Sequence, residues 1–330
     1  MPKNRKIRLL AFGLATASTL GACIGGDGAA DNRPTPPETM LRLDLAIAAD
    51  SALDPVMAAG WDDMASAMGT DISCSDYSGL PAVKLFSADV QRLLPPLDSV
   101  ETVLGHVKAR MAEQLPDIGW KHTFAIVWPY SQSISYCSDG SVLVALNHYL
   151  GADYPGYAGR FPAYIAANKT PGMLPVNLAE AILGSEYAYA GPDNGNPPTL
   201  LNRMLHDGAI AYAMKSCLPA ATPLSTLLGI SPEQAEWLIR NEAEVWRLMM
   251  ERRLIYSTDP QLADRLLGRA PASHAISPDA PGMTARFIGM RIIEAYAGTH
   301  PSTTIGHMLS PDFYNSTQSL IDSNYAPRKQ

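Results

Sequence analysis

The sequence is poor in charge, in cysteine and in long apolar runs. Only 17% of its 330 residues are charged, and 25 Lys and Arg against 32 Asp and Glu give a formal net charge of -7. Nucleic-acid-binding domains carry basic patches, so this acidic composition does not suit binding to nucleic acid. None of the 4 cysteines forms a CxxC pair or a cluster with histidines, so no zinc knuckle is expected. The apolar run near the start is far shorter than the roughly 20 residues of a transmembrane helix.

The motifs of the common enzyme classes are also missing. The sequence has no GxSxG elbow, no Walker A loop, no GxGxxG fingerprint and no HExxH. His206 is one position from Asp207, so on a helix its side chain points about 100° away from it. His300 and His307 have a spacing that matches no standard ligand pattern. We therefore predict no catalytic residue, no cofactor and no metal ligand.

The start of the chain has the pattern of a lipoprotein signal. A head with four positive charges precedes a short, mostly apolar stretch over residues 9–20, and Leu-Gly-Ala-Cys then ends at Cys23. This resembles the bacterial lipobox, in which the cysteine is acylated and becomes the mature N-terminus. The alternative is an ordinary signal peptide whose cysteine lies near the cleavage site by chance.

Acylation of Cys23 would decide where the protein resides. Several acyl chains on one cysteine anchor a protein firmly, because each buried methylene adds roughly 0.8 kcal/mol. Ile24 stands where an Asp would indicate retention in the inner membrane, which by resemblance to known lipoproteins favours the outer membrane. Loss of the four basic residues of the head takes the formal net charge from -7 to -11.

Composition divides the chain into three parts. Residues 1–22 form the predicted signal peptide. Residues 23–38, rich in Gly, Ala, Asp, Asn and Pro, cannot form a core and read as a tether. Residues 39–330 show no second linker and no internal repeat, so we predict a single domain there.

Periodicity predicts an α+β fold, with a small N-terminal sheet followed by a mostly helical bulk. Residues 123–130 are rich in β-branched and aromatic residues, which is typical of a buried strand. Asp139-Gly140 lies between two strand-like runs and predicts a hairpin with a type I′ turn that leads into a strand over 142–146. Cys74 and Cys137, both in strand-like stretches, are the suggested disulfide pair. Apolar residues at helical spacing predict helices over 100–115, 175–188, 199–218, 231–256 and 283–297. Thr199 and Ser231 are the predicted N-caps of two of these helices, and Ile239 is expected on the apolar stripe of the helix over 231–256.

Three acidic residues interrupt the apolar stripes of three different predicted helices. They are Glu180, Asp207 and Glu242, and a buried carboxylate needs a partner because leaving it unpaired costs several kcal/mol. They are either structural groups satisfied at helix crossings, with Arg203, Arg253 or Arg286 as candidate partners, or the remains of a catalytic cleft.

If these residues are the remains of a catalytic cleft, the segment Ala179 to Leu183 would correspond to the HExxH helix of a zincin. Ala179 and Leu183 would occupy the two histidine positions, and neither can bind a metal. Glu180 would keep the place of the general base, and Asp207 that of the third ligand. Catalytic zinc typically takes three protein ligands, so such a site would be vestigial.

Several stretches, in order, resemble the gliding-motility lipoprotein GldB family of Bacteroidota. They include VALNHYLGADYPGY, LPVNLAEAI, TLLNRMLHDGAIAY, SPEQAEWLIRNEAEVW and IDSNYAP, and the resemblance runs from about Leu143 to the C-terminus. This family is similar to zincin-type metallopeptidases in layout and generally lacks HExxH, which matches AEAIL here. Two positions depart from its pattern: Met290 stands where Trp is usual, and Asp207 where Glu is expected.

The resemblance implies an outer-membrane lipoprotein with a non-catalytic role in gliding motility or the linked secretion machinery. A degenerate metallopeptidase-like scaffold would then bind an envelope protein partner, for example by strand addition beside residues 142–146. Two alternatives remain. One is an active metallopeptidase with an atypical site, and the other is a glycan-binding surface lipoprotein that uses exposed aromatic side chains.

Overall fold

The computed structural model describes residues 35–49, 52–128, 132–270 and 272–327. These residues belong to one compact unit, 34–330. The predicted signal peptide, Cys23 and nearly all of the predicted tether lie outside the described residues. Glu38, at the end of that tether, is bound to the folded body, because its carboxylate accepts hydrogen bonds from Lys108 Nζ at 2.8 Å and Thr123 Oγ1 at 2.9 Å.

A small mixed sheet of four strands lies in the N-terminal half of the chain. The strands are β1 (Met40–Arg42), β2 (Thr123–Ile126), β3 (Ile134–Tyr136) and β4 (Val142–Ala145). Their order in the sheet is β1-β2-β4-β3, with β1, β2 and β4 parallel and β3 antiparallel to β4. The predicted α+β class is therefore confirmed, with β4 in the interior of the sheet.

Both faces of this sheet are buried, which explains why its central strands are apolar apart from Thr123. On one face, Phe124 of β2 and Leu143 of β4 pack against Leu43 and other residues of the first helices. On the other face, Ala125 and Val144 belong to the main core, which the later helices fill. The second face therefore connects the sheet to the helices that carry the predicted acidic residues.

Most of the remaining described chain is helical, and none of the described helices is both long and apolar enough to cross a membrane. The four helices before residue 94 have no counterpart in the sequence prediction, whereas those beginning near 98, 174, 200, 232 and 284 confirm it. The α-helices are α1 (Leu43–Ala48), α2 (Pro55–Met68), α3 (Cys74–Gly79), α4 (Pro81–Leu93), α5 (Asp98–Gln114), α6 (Ala163–Ala166), α7 (Leu174–Glu186), α8 (Leu200–Cys217), α9 (Leu224–Leu228), α10 (Pro232–Arg240), α11 (Glu242–Glu251), α12 (Pro260–Leu267), α13 (Thr284–Thr299), α14 (Ile305–Met308), α15 (Pro311–Tyr314) and α16 (Thr317–Asp322).

The predicted helix over 231–256 is divided in two. Ser231 caps its start as expected, with its hydroxyl accepting from the N–H of Gln234. The helix ends at Arg240, because Asn241 leaves helical geometry with φ -106° and ψ 11°, and α11 begins at Glu242. Ile239 precedes this break and was expected on the apolar stripe, but it is 43% exposed.

The β3–β4 hairpin forms as predicted, but the type I′ turn was wrong. The N–H of Gly140 donates to the carbonyl of Cys137 at 3.0 Å, and Gly140 has φ +94°. Asp139 is not among the residues with positive φ, whereas a type I′ turn needs positive φ at both central residues. The loop is longer by one residue, and only its glycine takes the left-handed conformation.

The suggested Cys74–Cys137 disulfide is not formed. Both cysteines are free, as is the buried Cys217. Cys74 is the first residue of α3, so its expected place in a strand was wrong, and Cys137 follows β3. Both side chains pack at the edge of the small core under the first helices, where they act as small apolar groups.

Candidate functional site

Glu180 lies on α7 and is held by two arginines from distant parts of the chain. Arg269 Nη2 donates to Glu180 Oε2 at 2.6 Å, and Arg286 Nη1 donates to Glu180 Oε1. Arg286 comes from α13 and is buried, while the Glu180 side chain is 24% exposed. Of the three arginines suggested from the sequence, Arg286 is thus a partner of Glu180, and Arg269 is a partner that was not foreseen.

The two guanidinium groups determine the charge state of Glu180. Burial alone would raise the pKa of this carboxyl, but the charges of Arg286 and Arg269 outweigh burial and lower the pKa to about 2. Glu180 is therefore ionised at any physiological pH. Each of its oxygens already accepts a charged hydrogen bond, which leaves it poorly suited to take a proton from water.

Asp207 lies on α8 beside His206, and here the histidine makes the buried contacts. The His206 ring packs against the rings of Tyr189 and Tyr314, with centroid distances of 5.3 Å and 5.0 Å. Its Nε2 lies 2.7 Å from the carbonyl oxygen of Tyr187, and its Nδ1 lies 3.0 Å from Asp207 Oδ1. Both ring nitrogens thus face oxygen acceptors, and the neutral ring can donate to either one of them.

Glu242 belongs to a separate group of residues. Arg291 Nε lies 3.2 Å from Glu242 Oε2, and the hydroxyl of Tyr325 donates a hydrogen bond to Glu242 Oε1 at 3.0 Å. Glu242 lines a cavity of about 320 Å³ with Arg291, whereas Glu180 lines a different cavity with Arg269. Glu180 and Glu242 thus line different cavities. Burial would lower the pKa of Arg286, but the charges of Glu180 and Asp207 act on it together and raise it.

The cavity beside Glu180 contains polar residues that the sequence analysis did not select. It has a volume of about 250 Å³ and is lined by Tyr149, by Lys169 and by residues of β3, α6 and α7 that include Asn177. Lys169 and His148 are both buried, and Lys169 Nζ lies 2.8 Å from His148 Nδ1. Burial lowers the pKa of Lys169 to about 8.

A second cavity, of about 550 Å³, adjoins the first and shares Asn168 and Arg269 with it. Its walls carry the hydroxyl groups of Ser225 and Thr226 and the first residues of α10. Asn168 is fixed at the boundary because its amide donates to the carbonyl of Gly229 at 2.8 Å. We call the two cavities together the α7 groove.

Strand addition to β4 was wrong as a mode of binding. β4 is hydrogen-bonded to β2 on one side and to β3 on the other, so it has no free edge. β3 is the outer strand beside the α7 groove, where Ser133 and Ile134 contribute to the cavity wall. α7 contacts this strand, so the groove lies between a short outer strand and a helix.

Within the described ranges, no three His, Cys, Asp or Glu side chains are grouped so that they could hold a metal ion.

Burial of Lys169 could not be predicted from the sequence, because the segment around it has no helical or strand periodicity. Its only signal was the local scarcity of charge between Arg160 and Glu180, where Lys169 is the sole charged residue.

One comparison with known proteins bears on this arrangement. The family model described as "Gliding motility protein GldB" matches residues 71–327, which include β2 to β4, α7 and every residue of the α7 groove. The comparisons with curated proteins and with solved structures gave no match. Because the matched region covers most of the chain and the whole candidate site, the chain belongs to the gliding motility protein GldB family.

Proposed function

We propose that this chain is a lipid-anchored protein of the outer membrane that binds an envelope partner through the α7 groove and catalyses no reaction. Its association with the gliding apparatus follows from the family, and its anchor from the predicted lipobox at Cys23. The metallopeptidase-like scaffold then serves for recognition and not for hydrolysis.

The state of Glu180 carries the non-catalytic part of this proposal. A general base works best when its pKa lies near the working pH and when its oxygens can reach a bound water. Glu180 has a pKa of about 2, and both of its oxygens are engaged by Arg269 and Arg286. A carboxylate in this state supports the positions of two arginines at the wall of a groove.

The glycan-binding alternative needs a row of exposed aromatic rings. In the part of the chain that the structure describes, the exposed large aromatic side chains are Tyr164, 37% exposed, and Tyr256, 53% exposed. Tyr164 lines the α7 groove, whereas Tyr256 lies beside Arg253. Two separate tyrosines favour binding in the groove over stacking of a sugar chain on a flat surface.

Two experiments test this proposal. Residues 24–330 would be incubated with a mixture of unlabelled peptides, with and without added zinc, next to a Glu180→Gln variant. We expect no cleavage by either protein, and zinc-dependent cleavage lost in the variant would overturn the non-catalytic role. In the source bacterium, Cys23→Ser should lose the outer-membrane fractionation of the wild-type protein, and unchanged fractionation would overturn the lipid anchor.

A further inference from the structure

Lys169 is a buried amine at the wall of the α7 groove. The residue is 8% exposed, and its backbone carbonyl accepts a hydrogen bond from the N–H of Gly151 at 3.0 Å, which fixes this loop. Its Nζ lies 4.1 Å from the centre of the Phe161 ring and 2.8 Å from His148 Nδ1. The aromatic face and the imidazole nitrogen both favour a positive charge at this position.

No carboxylate contacts this amine among the residues that the structure describes. Burying an ammonium group without a paired anion costs free energy, and a ring and one nitrogen compensate only partly. The nearest acidic side chain on the same cavity wall is Glu180, which is already neutralised by Arg269 and Arg286. The cavity therefore carries an excess of positive charge, although the protein as a whole is acidic.

An anion brought by a ligand would supply the missing charge. The amide of Asn177 lies on the same wall, and the Tyr149 hydroxyl lies 3.4 Å from its Nδ2. A cavity of about 250 Å³ suits one small group, and the adjoining cavity of about 550 Å³ leaves room for the chain that carries it. The two cavities share Asn168 and Arg269 at their boundary, which suits an extended ligand with an acidic end.

We propose that Lys169 forms the counter-ion of a carboxylate on the bound partner, held in the cavity between β3 and α7. This inference rests on the proposed binding function of the α7 groove and names the group that the groove recognises. The carboxylate belongs either to the C-terminus of a peptide or to an acidic side chain. A phosphate fits less well, because bidentate arginine forks are its preferred partners and Arg269 and Arg286 are engaged by Glu180.

The test uses reductive methylation of residues 24–330 and follows each lysine by mass spectrometry. Three probes are compared: N-acetyl-trialanine with a free carboxylate, the same peptide as its amide, and N-acetyl-Ala-Asp-Ala amide. The free acid should slow modification of Lys169 by about tenfold, because an ion pair keeps the amine protonated. Exposed Lys84 serves as the internal control, and its rate should not change.

Binding is then measured by saturation-transfer NMR for the wild-type protein, Lys169→Met and the matched Lys84→Met. Methionine keeps the length and packing of the side chain and removes its charge. We expect Lys169→Met to weaken binding of the carboxylate probe about tenfold or more, within the range for a charge-assisted hydrogen bond, and Lys84→Met to leave it unchanged.

The outcomes separate this inference from the proposed function. Protection by the aspartate probe alone would assign the site to an acidic side chain, and protection by the free acid alone to a C-terminus. Equal binding of acid and amide, unaffected by Lys169→Met, would overturn the carboxylate site and leave groove binding intact. No binding of any probe would also overturn it, whereas cleavage of a probe would overturn the non-catalytic function.

Discussion

Gly289 of α13 lies directly against Gly208 of α8. A Cβ atom on Gly289 would be 3.3 Å from the Cα of Gly208 and 2.0 Å from the carbonyl oxygen of Met204. The two helices therefore cross with their backbones in contact. Arg286, the partner of Glu180, lies one turn before this crossing on α13.

We expect Gly289→Ala to lower the free energy of unfolding by about 1–3 kcal/mol, because the added methyl forces two buried backbones apart. Gly298 is the matched control in the same helix, where a Cβ would meet no atom within 4 Å. Gly298→Ala should be neutral or stabilise by up to about 1 kcal/mol through helix propensity. Urea unfolding measures both, and equal effects at the two sites would contradict the close crossing.

Replacing Glu180 should destabilise the protein more than replacing one member of an exposed ion pair. Glu180→Gln leaves the buried Arg286 without its anion, which we expect to cost about 3 kcal/mol. Combining it with Arg286→Met should recover part of that loss, and a double-mutant cycle gives the interaction energy. Glu251→Gln, which breaks an exposed contact with Arg247, is the control and should change stability by less than about 1 kcal/mol. Equal losses for Glu180→Gln and Glu251→Gln would be inconsistent with a buried pair.

The loss of stability at acidic pH should depend on the ionised carboxylate of Glu180. The pKa of Glu180 is lowered from 4.5 to about 2, so its stabilisation is complete above pH 4.5 and is lost as the pH falls toward 2. Chemical unfolding of the wild-type protein across this window should show a steeper loss of stability than Glu180→Gln shows. Parallel pH profiles for the two proteins would mean that the arginines do not hold the charged form.

The sequence predicted those elements whose signals are local. Thr199 and Ser231 cap their helices as expected, because a side-chain oxygen before an apolar stripe acts within one turn. The end of α10 at Asn241 was missed, since nothing in the stripe shows that a helix stops there. Burial of Lys169 was missed for a deeper reason: it is created by Phe161, His148 and α7, which meet only in the folded chain.

The same distinction applies to the candidate site. A carboxylate on an apolar stripe predicts a partner, and Glu180 has two, but no local pattern could say that one would be Arg269. The separate environment of Glu242 depends on α11 turning away after Asn241 and on the C-terminal segment, which brings Tyr325 to the carboxylate. Partner identity is a property of the tertiary fold.

Three free thiols are expected in the folded body. In residues 24–330 prepared without reductant, alkylation after denaturation should modify Cys74, Cys137 and Cys217, as in a sample reduced beforehand. In the native protein Cys217 should react slowest, because burial raises its pKa to about 12. Recovery of a single alkylated cysteine in the unreduced sample would establish a disulfide between the other two.

Lys169→Met should raise stability at neutral pH, which would show that this lysine is kept at a cost to the fold. The pKa of Lys169 is lowered by burial from 10.5 to about 8, so the unfolded chain binds the proton more tightly than the folded one. The wild-type protein therefore gains stability as the pH rises from 8 to 10.5, and the variant lacks this gain.

At pH 7 we expect Lys169→Met to be more stable by about 1–2 kcal/mol, in the range for an imperfectly compensated buried polar group. The difference should shrink as the pH approaches 10.5, while Lys84→Met, at an exposed position, should follow the wild-type profile. A Lys169→Met variant that is less stable at every pH would mean that the amine supports the fold through His148. In that case the charge would need no ligand to account for its presence in the groove.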